Sequence, residues 1–354
     1  MAVFSVSNIK IAGIAATVPS EIYHIKDYGL ITEKERENLI KMVGVEQRRV
    51  AAQDTATSDL CQVAAEKLIN ELDWDRQEIE LLIFVSQSRD YLIPATAGIL
   101  QEKLGLSKKC MAFDISLGCS GYVYGLSVMG SLMSSGQIKK GLFLVGDVST
   151  KNTSYKDKST FPLFGDAGSA TGIEYNPDAS AMAFNLQTDG SGYEAIIIPD
   201  GGIRNFASPE SSFTYEKIAE GIERNKLHIA LDGIEVFNFS LREVASNVKI
   251  LLANQNLEIA GIDYFVMHQA NKLMNETVRK QLKIPAEKYP YSIHEYGNTS
   301  SASIPLTMVA CIRQDLEARP KKLILSGFGV GLSWGSVLLE TNKICCPEII
   351  EYKS

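Results

Sequence analysis

Short apolar runs alternate with helical patterns along most of this 354-residue chain. Runs rich in Leu, Ile, Val and Phe are typical of buried strands, and they occur at 81–85, 142–145, 195–198, 264–267, 323–325 and 336–339. Apolar residues at helical spacing predict helices over 58–72, 96–104, 122–134, 237–253 and 305–318. This alternation predicts an α/β architecture.

The order of elements is similar in the two parts of the chain, which indicates a structural duplication without a sequence repeat. We predict an N-terminal half over residues 1–175 and a C-terminal half over 226–354. Residues 176–225 are rich in Gly, Ser, Asn and Asp, so we expect loops there that connect the halves or cover a site.

Cys119 lies where the predicted strand 110–115 gives way to the helix that starts near residue 122. Free backbone N–H groups and the positive end of a helix dipole at such a junction favour a thiolate. The small neighbours Gly118, Ser120 and Gly121 leave room for a substrate carbonyl. We therefore predict that Cys119 is a nucleophile, although a cysteine in this position is more often a small buried hydrophobic residue.

Two motifs in the C-terminal half supply candidate partners for this thiol. His268 directly follows the predicted strand 264–267, and Asn298 lies in a small-residue loop ahead of the helix at 305–318. Residues at the carboxyl ends of strands line the ligand crevice of doubly wound sheets. We therefore expect Cys119, His268 and Asn298 to converge on one pocket.

The charge and cysteine content exclude several classes of function. A net charge of −7 argues against a general nucleic-acid or membrane-surface role. The first ten residues lack a basic region and resemble a first strand more than a signal peptide. The sequence contains no run of eighteen apolar residues, so we predict no membrane-spanning segment. Six scattered cysteines without a Cys-x-x-Cys pair predict reduced thiols, no metal site and a cytoplasmic location.

The chain resembles the β-ketoacyl-acyl-carrier-protein synthase III family, within the thiolase-like condensing enzymes, nearly from end to end. The resemblance is carried by five segments in order: Asp114-Ile-Ser-Leu-Gly-Cys-Ser-Gly121, Phe164-Gly-Asp-Ala-Gly168, His268-Gln-Ala-Asn271, Gly297-Asn-Thr-Ser300 and Gly327-Phe-Gly-Val-Gly-Leu-Ser-Trp-Gly335. It implies a five-layered αβαβα fold made of two duplicated halves, a homodimer, and a catalytic triad of Cys119, His268 and Asn298.

The resemblance also implies the chemistry. Cys119 takes an acyl group from an acyl-CoA or acyl-carrier thioester, and the backbone N–H groups of Cys119 and Val330 form the oxyanion hole. Malonyl-acyl-carrier-protein then loses CO2 while His268 and Asn298 stabilise the enolate, and condensation yields a β-ketoacyl-carrier thioester. No metal or redox cofactor is expected, and acyl carrier protein is the expected partner.

Three further expectations concern the substrates. Gln269, Lys272 and Lys280 are candidates for carrier-protein docking, although a solvated helix face explains the two lysines about equally well. Ile93 stands at a dimer-facing position of the acyl pocket where short-chain enzymes of the family often have an aromatic residue, so we expect a primer longer than acetyl. In many members a Trp and an Arg bind the nucleotide of coenzyme A, and both are absent from the corresponding segment 37–45. An arginine that the resemblance places shortly after His268-Gln-Ala-Asn271 is Leu273 in this chain.

Two alternatives remain open from the sequence. One is an acyltransferase of the same family that passes the acyl group from Cys119 to an alcohol or an amine without decarboxylation. The other is a non-catalytic partner subunit with a vestigial triad, against which the intact Cys119, His268 and Asn298 argue.

Overall fold

The structure is a computed structural model that describes residues 2–353. Its strands are β1 Ala2–Val6, β2 Ile9–Pro19, β3 Ile22–His24, β4 Gln47–Arg49, β5 Leu81–Val85, β6 Met111–Ile115, β7 Lys140–Val148, β8 Asp166–Tyr175, β9 Met182–Thr188, β10 Ile196–Ile197, β11 Glu216–Ala219, β12 Ile222–Arg224, β13 Ala230–Leu231, β14 Tyr264–Met267, β15 Lys321–Gly329, β16 Ser333–Thr341 and β17 Ile350–Tyr352. Its α-helices are α1 Glu33–Val43, α2 Thr57–Glu71, α3 Thr96–Lys103, α4 Gly121–Met133, α5 Gly233–Asn254, α6 Lys272–Gln281, α7 Ile293–Tyr296 and α8 Ser303–Ala318.

Two mixed sheets form the centre of the molecule. The first has the strand order β17-β2-β8-β7-β5-β6, and the second has the order β1-β9-β16-β15-β14. In the first sheet β5 runs parallel to both β6 and β7, and in the second β14 runs parallel to β15. Strands β6 and β14 are therefore edge strands of their sheets. The segment that contains Cys119 follows β6, and His268 follows β14.

Helices α4 and α8 lie between the two sheets. Each contacts strands of both sheets, and buried residues on nearly every face of α4 are typical of a helix enclosed by protein. Helices α2 and α3 cover the outer face of the first sheet, whereas α5 covers the outer face of the second and packs against α6. These five layers confirm the predicted αβαβα fold.

Separate apolar clusters fill the spaces between the layers. The largest joins α4 and α8 to the inner faces of the two sheets, and the next two in size pack α2 and α5 against the outer faces. Burial of this apolar surface is the main force that holds the layers together.

The structure differs from the sequence prediction in three places. The segment 176–225, expected to consist of loops, contains β9, which lies inside the second sheet between β1 and β16. The single N-terminal strand expected from the sequence is two strands, because β1 pairs in the second sheet and β2 in the first. Helix α1 was not predicted, because its only apolar residues lie near its C-terminal end and none of its side chains is fully buried.

Within residues 2–353, no helix has both the length and the apolar character needed to cross a bilayer.

Candidate active site

Cys119 lies four residues after the end of β6 and two residues before the start of α4. The side chain is buried, and its sulfur lies 4.0 Å from the Ser300 hydroxyl oxygen. Strand β6 runs parallel to β5, so both end at the same side of the first sheet. The chain then turns into α4, which lies between the two sheets, and the thiol lies at this turn.

The glycine-rich segment after β15 packs directly on this thiol. A Cβ atom built on Gly329 would lie 2.7 Å from the Cys119 Cβ and 2.8 Å from its Sγ, and Gly329 has a φ of +155°. Only glycine fits this contact and this backbone conformation. The backbone N–H groups of Val330 and Cys119 lie close enough to the sulfur to favour its ionised form.

Burial raises the pKa of the Cys119 thiol to about 11. The N–H of Val330 and the hydroxyl of Ser300 act in the opposite direction, whereas the charge of Asp147 raises the pKa further. The prediction of a favoured thiolate was wrong, because loss of hydration outweighs these hydrogen bonds. At neutral pH the resting side chain is a thiol.

His268 follows β14 and is buried. Its Nδ1 lies 2.7 Å from the Ser303 hydroxyl oxygen, and its ring meets the ring of Phe328 edge to face with centroids 5.5 Å apart. Burial lowers the pKa of the imidazole to about 3, against which a hydrogen bond to the Ser300 backbone acts weakly. The imidazole is therefore neutral over the physiological pH range.

Asn298 is held by its backbone and by its side chain. Its N–H donates to the Leu163 carbonyl at 2.9 Å, and its own carbonyl accepts from Gly165 N–H at 3.1 Å. The side-chain Oδ1 accepts from Ser300 N–H at 2.9 Å, and Nδ2 donates to the Ala270 carbonyl at 3.3 Å. These bonds fix the orientation of the amide, so that Oδ1 is the acceptor and Nδ2 the donor.

Ser300 connects the three candidate catalytic residues. Its hydroxyl faces Cys119, its N–H binds the Asn298 side chain, and its backbone forms a hydrogen bond with His268. Ser300 also has a φ of +50°, which is uncommon for a residue other than glycine and concentrates at functional sites. One residue thus places the sulfur, the imidazole and the carboxamide beside one another.

The three side chains line a single cavity of about 720 Å³. Its walls are mostly apolar and include Ile196, Leu231, Val236 and Phe237, which provide a surface for an acyl chain or a pantetheine arm. Met42 and Leu273 also line it and are 54% and 50% exposed, so they mark its mouth.

The remaining predicted residues lie away from the cavity. Gln269 is fully buried, and its amide donates to the Met267 carbonyl and accepts from Ser292 N–H. It therefore cannot contact a docked protein, and its assignment to carrier docking was wrong. Lys272 and Lys280 are exposed at the two ends of α6. Ile93 is 86% exposed and does not line the cavity of this chain.

All six cysteines are free thiols. In the part of the chain that the structure describes, no group of three or more His, Cys, Asp or Glu side chains is placed to hold a metal ion.

Sequence reasoning missed three residues that support the site. Ser300 has no chemical signature of its own within a run of small residues. Asn271 is the N-cap of α6, where its side chain accepts from Met274 N–H at 2.8 Å. An Asn directly before a helical pattern predicts such a cap, so the sequence did contain a signal for it. Asp147, buried at the end of β7, has partners that lie far from it in the sequence.

Comparison with known proteins gives a consistent result over the whole chain. The family model described as 3-oxoacyl-[acyl-carrier-protein (ACP)] synthase III matches residues 113–190, and the model of its C-terminal part matches residues 252–341. The β-ketoacyl-[acyl-carrier-protein] synthase III of Syntrophomonas wolfei is 33% identical over 95% of this chain and 98% of its own length. The Streptococcus gordonii protein of the same name is 32% identical over 93% and 98%.

Solved structures give the same result. A 3-oxoacyl-(acyl-carrier protein) synthase from Burkholderia xenovorans superposes with a TM-score of 0.93 at 36% identity, covering 99% of both chains. The 3-oxoacyl-(acyl carrier protein) synthase III of Pseudomonas aeruginosa superposes with a TM-score of 0.83 at 28% identity, covering 95% of this chain and 99% of its own.

Proposed function

The chain belongs to the 3-oxoacyl-[acyl-carrier-protein] synthase III family, and from this premise we propose how its site performs the condensation. The protein is an acyltransferase that joins an acyl primer to malonyl-acyl-carrier-protein, with loss of CO2, to give a β-ketoacyl-carrier thioester. The observation that carries this proposal is Ser300, whose contacts gather Cys119, His268 and Asn298 at one cavity.

In the first half-reaction, the Cys119 sulfur attacks the carbonyl of the primer thioester. The N–H groups of Val330 and Cys119 both act on the pKa of the thiol, and in this proposal they donate to the oxyanion that forms on the attacked carbonyl. The bond from the carbonyl to the primer's sulfur then breaks. The proton of Cys119 ends on the departing thiol, and the acyl group remains on the enzyme.

In the second half-reaction, His268 and Asn298 hold the thioester carbonyl of the malonyl substrate. We assign the tautomer in which the Ser303 hydroxyl donates to Nδ1 of His268, so that Nε2 carries the ring proton and donates, and Asn298 donates through Nδ2. Both groups donate without carrying charge, because the imidazole is neutral and an amide does not titrate. They stabilise the enolate that forms as CO2 leaves, and its carbon attacks the acyl group and releases Cys119 as a thiolate. The thiolate then takes a proton from water and returns to the thiol.

The test follows both half-reactions separately. Wild-type protein is given an acyl thioester and malonyl-carrier labelled in the free carboxyl group, and acyl-enzyme, labelled CO2 and β-ketoacyl product are measured. We expect Cys119→Ala to lose acyl-enzyme and β-ketoacyl product, and His268→Ala and Asn298→Ala to retain acyl-enzyme formation but lose CO2 release. Transfer of the acyl group to an alcohol or amine without CO2 would instead support a non-decarboxylating transferase.

The mouth of the cavity favours recognition of a pantetheine arm over the nucleotide of coenzyme A. Met42 and Leu273 present apolar surface there, and Lys158, the only Lys or Arg that lines the cavity among the described residues, lies 3.7 Å from Glu35. We expect acyl-CoA and acyl-pantetheine to acylate the enzyme with KM values within about threefold of each other. A much lower KM for acyl-CoA would show that the nucleotide is bound.

A homodimer is supported by the edge of the first sheet. Among residues 2–353, β6 pairs on one side only, and Met111 at its start is exposed. Tyr91, Leu92 and Ile93, in the segment between β5 and α3, are exposed as well. Pairing of two β6 strands would satisfy the free backbone groups and cover this apolar surface. Ile93 would then face the acyl pocket of the second copy. Light scattering in solution tests this proposal, with twice the mass of one chain as the expected result.

The remaining substrate and location proposals rest on chemistry. The reaction needs no metal or redox cofactor, since thiol acylation and decarboxylation use only the residues named. Acyl carrier protein is the partner, with Lys272 and Lys280 as candidate contacts to its acidic surface. Six free cysteines fit a reducing compartment, and we propose the cytoplasm.

A further inference from the structure

Asp147 is a buried carboxylate beside the active site that the reaction described above does not use. It lies at the end of β7, is 1% exposed and lines the cavity. It accepts five hydrogen bonds and donates none. Its five donor groups offset the cost of burying a carboxylate.

The two carboxylate oxygens bind different parts of the molecule. Oδ1 accepts from the turn after β5, with Ser86 Oγ at 3.0 Å, Gln87 N–H at 2.8 Å and Ser88 Oγ at 3.2 Å. Oδ2 accepts from Ser301, at 3.1 Å from its N–H and 2.6 Å from its hydroxyl. Ser301 is 154 residues away in the sequence.

The two segments that Asp147 binds each contact a segment with a catalytic residue. On one side, the Gln87 side chain packs so closely under the Cys119 loop that a Cβ on Gly118 would lie 2.4 Å from its Oε1. On the other side, Ser301 directly follows Ser300, whose N–H binds the Asn298 side chain. Asp147 therefore joins the segment that supports the nucleophile to the loop that carries the carboxamide.

We propose that Asp147 is a positioning residue that holds the Asn298 loop in the geometry required for malonyl decarboxylation. This inference rests on the function proposed above. Substrate carbonyl and amide must meet within hydrogen-bonding distance, and small displacements of such donors reduce the rate strongly. A fully satisfied buried carboxylate is a rigid support, because each of its bonds is strengthened by the low dielectric.

The test uses Asp147→Asn, which keeps the shape of the side chain. Its NH2 group replaces one accepting oxygen, so the groups that donate to that oxygen lose their acceptor. We expect CO2 release at saturating malonyl-carrier to fall by about tenfold or more, while KM for that substrate changes by less than about threefold. Acyl-enzyme formation is retained. Loss of the nearby negative charge also makes Cys119 easier to alkylate with iodoacetamide at a given pH.

Two serine variants complete the design. Ser301→Ala removes the 2.6 Å bond to Oδ2 and lowers CO2 release in the same selective way, and it decides the question if Asp147→Asn does not fold. Ser169→Ala is the control, because its buried hydroxyl binds the Val145 carbonyl at 2.8 Å in the same sheet. It leaves both half-reactions unchanged.

The outcomes separate the two proposals. If wild-type protein releases CO2 and Asp147→Asn releases it equally fast, or loses acylation to the same extent as CO2 release, the positioning role is refuted while the proposed function stands. If wild-type protein forms acyl-enzyme but releases no CO2, the proposed function itself fails and the positioning role fails with it.

Discussion

Replacement of Gly329 by alanine tests the architecture around the nucleophile. The added Cβ would lie 2.7 Å from the Cys119 Cβ and 2.8 Å from its Sγ, whereas carbon atoms in contact are about 3.5–4.0 Å apart. The two groups must therefore separate by about 1 Å, and the φ of +155° adds strain of about 1–3 kcal/mol for a residue with a Cβ.

Such a displacement moves the sulfur relative to the N–H groups of Cys119 and Val330. Misplacement of a reacting atom by about 1 Å costs about a hundredfold in rate. We expect Gly329→Ala to fold with a reduced melting temperature and to form acyl-enzyme about a hundredfold more slowly than wild type.

The assay is acyl-enzyme formation in a single turnover, followed by intact-protein mass spectrometry. Gly98→Ala is the matched control, because Gly98 lies in α3 and a Cβ there would contact nothing within 4 Å. This variant should react normally and be slightly more stable, since alanine favours the helix. If Gly329→Ala acylates within about threefold of wild type, the packing argument is refuted.

Three further predictions concern charge. Because the pKa of the Cys119 thiol is about 11, the rate of its alkylation by iodoacetamide should rise about tenfold per pH unit from pH 7 to 9; a plateau near pH 7 would indicate a thiolate. The pKa of His268 falls from 6.5 to about 3 on folding, so the unfolded state binds the extra proton and stability decreases as pH falls through this window. Between pH 7 and pH 5, the free energy of urea unfolding should fall by about 2 kcal/mol more for wild type than for His268→Gln. Equal decreases would show that the imidazole is not buried in its neutral form. Charge reversal at Lys272 and Lys280 should raise KM for malonyl-carrier and leave acylation by a small thioester unchanged, with the exposed Lys343→Glu as control; an unchanged KM would exclude the docking surface.

The sequence predicted those parts of the site that depend on local chemistry. Cys119 at a strand–helix junction, with small neighbours, and His268 at a strand end follow from patterns that a few adjacent residues determine. The strand 81–85 was predicted with its observed bounds, because continuous apolar runs are unambiguous in a buried parallel strand.

The features that sequence reasoning missed depend on distant partners. β9 was taken for part of a loop segment, since its place in the second sheet depends on β1 and β16 from opposite ends of the chain. Gln269 was predicted to dock the carrier protein, yet two backbone groups satisfy its amide in the interior. The raised pKa of Cys119 follows from its burial between the sheets. The residues next to Cys119 in the sequence do not predict this burial.

Peptide mapping after incubation with an acyl thioester tests the central claim most directly. We expect a single acyl group per chain, on Cys119, and release of that group as β-ketoacyl product with one CO2 when malonyl-carrier is added. Acylation of any of the other five free cysteines, or acylation that persists in Cys119→Ala, would contradict it.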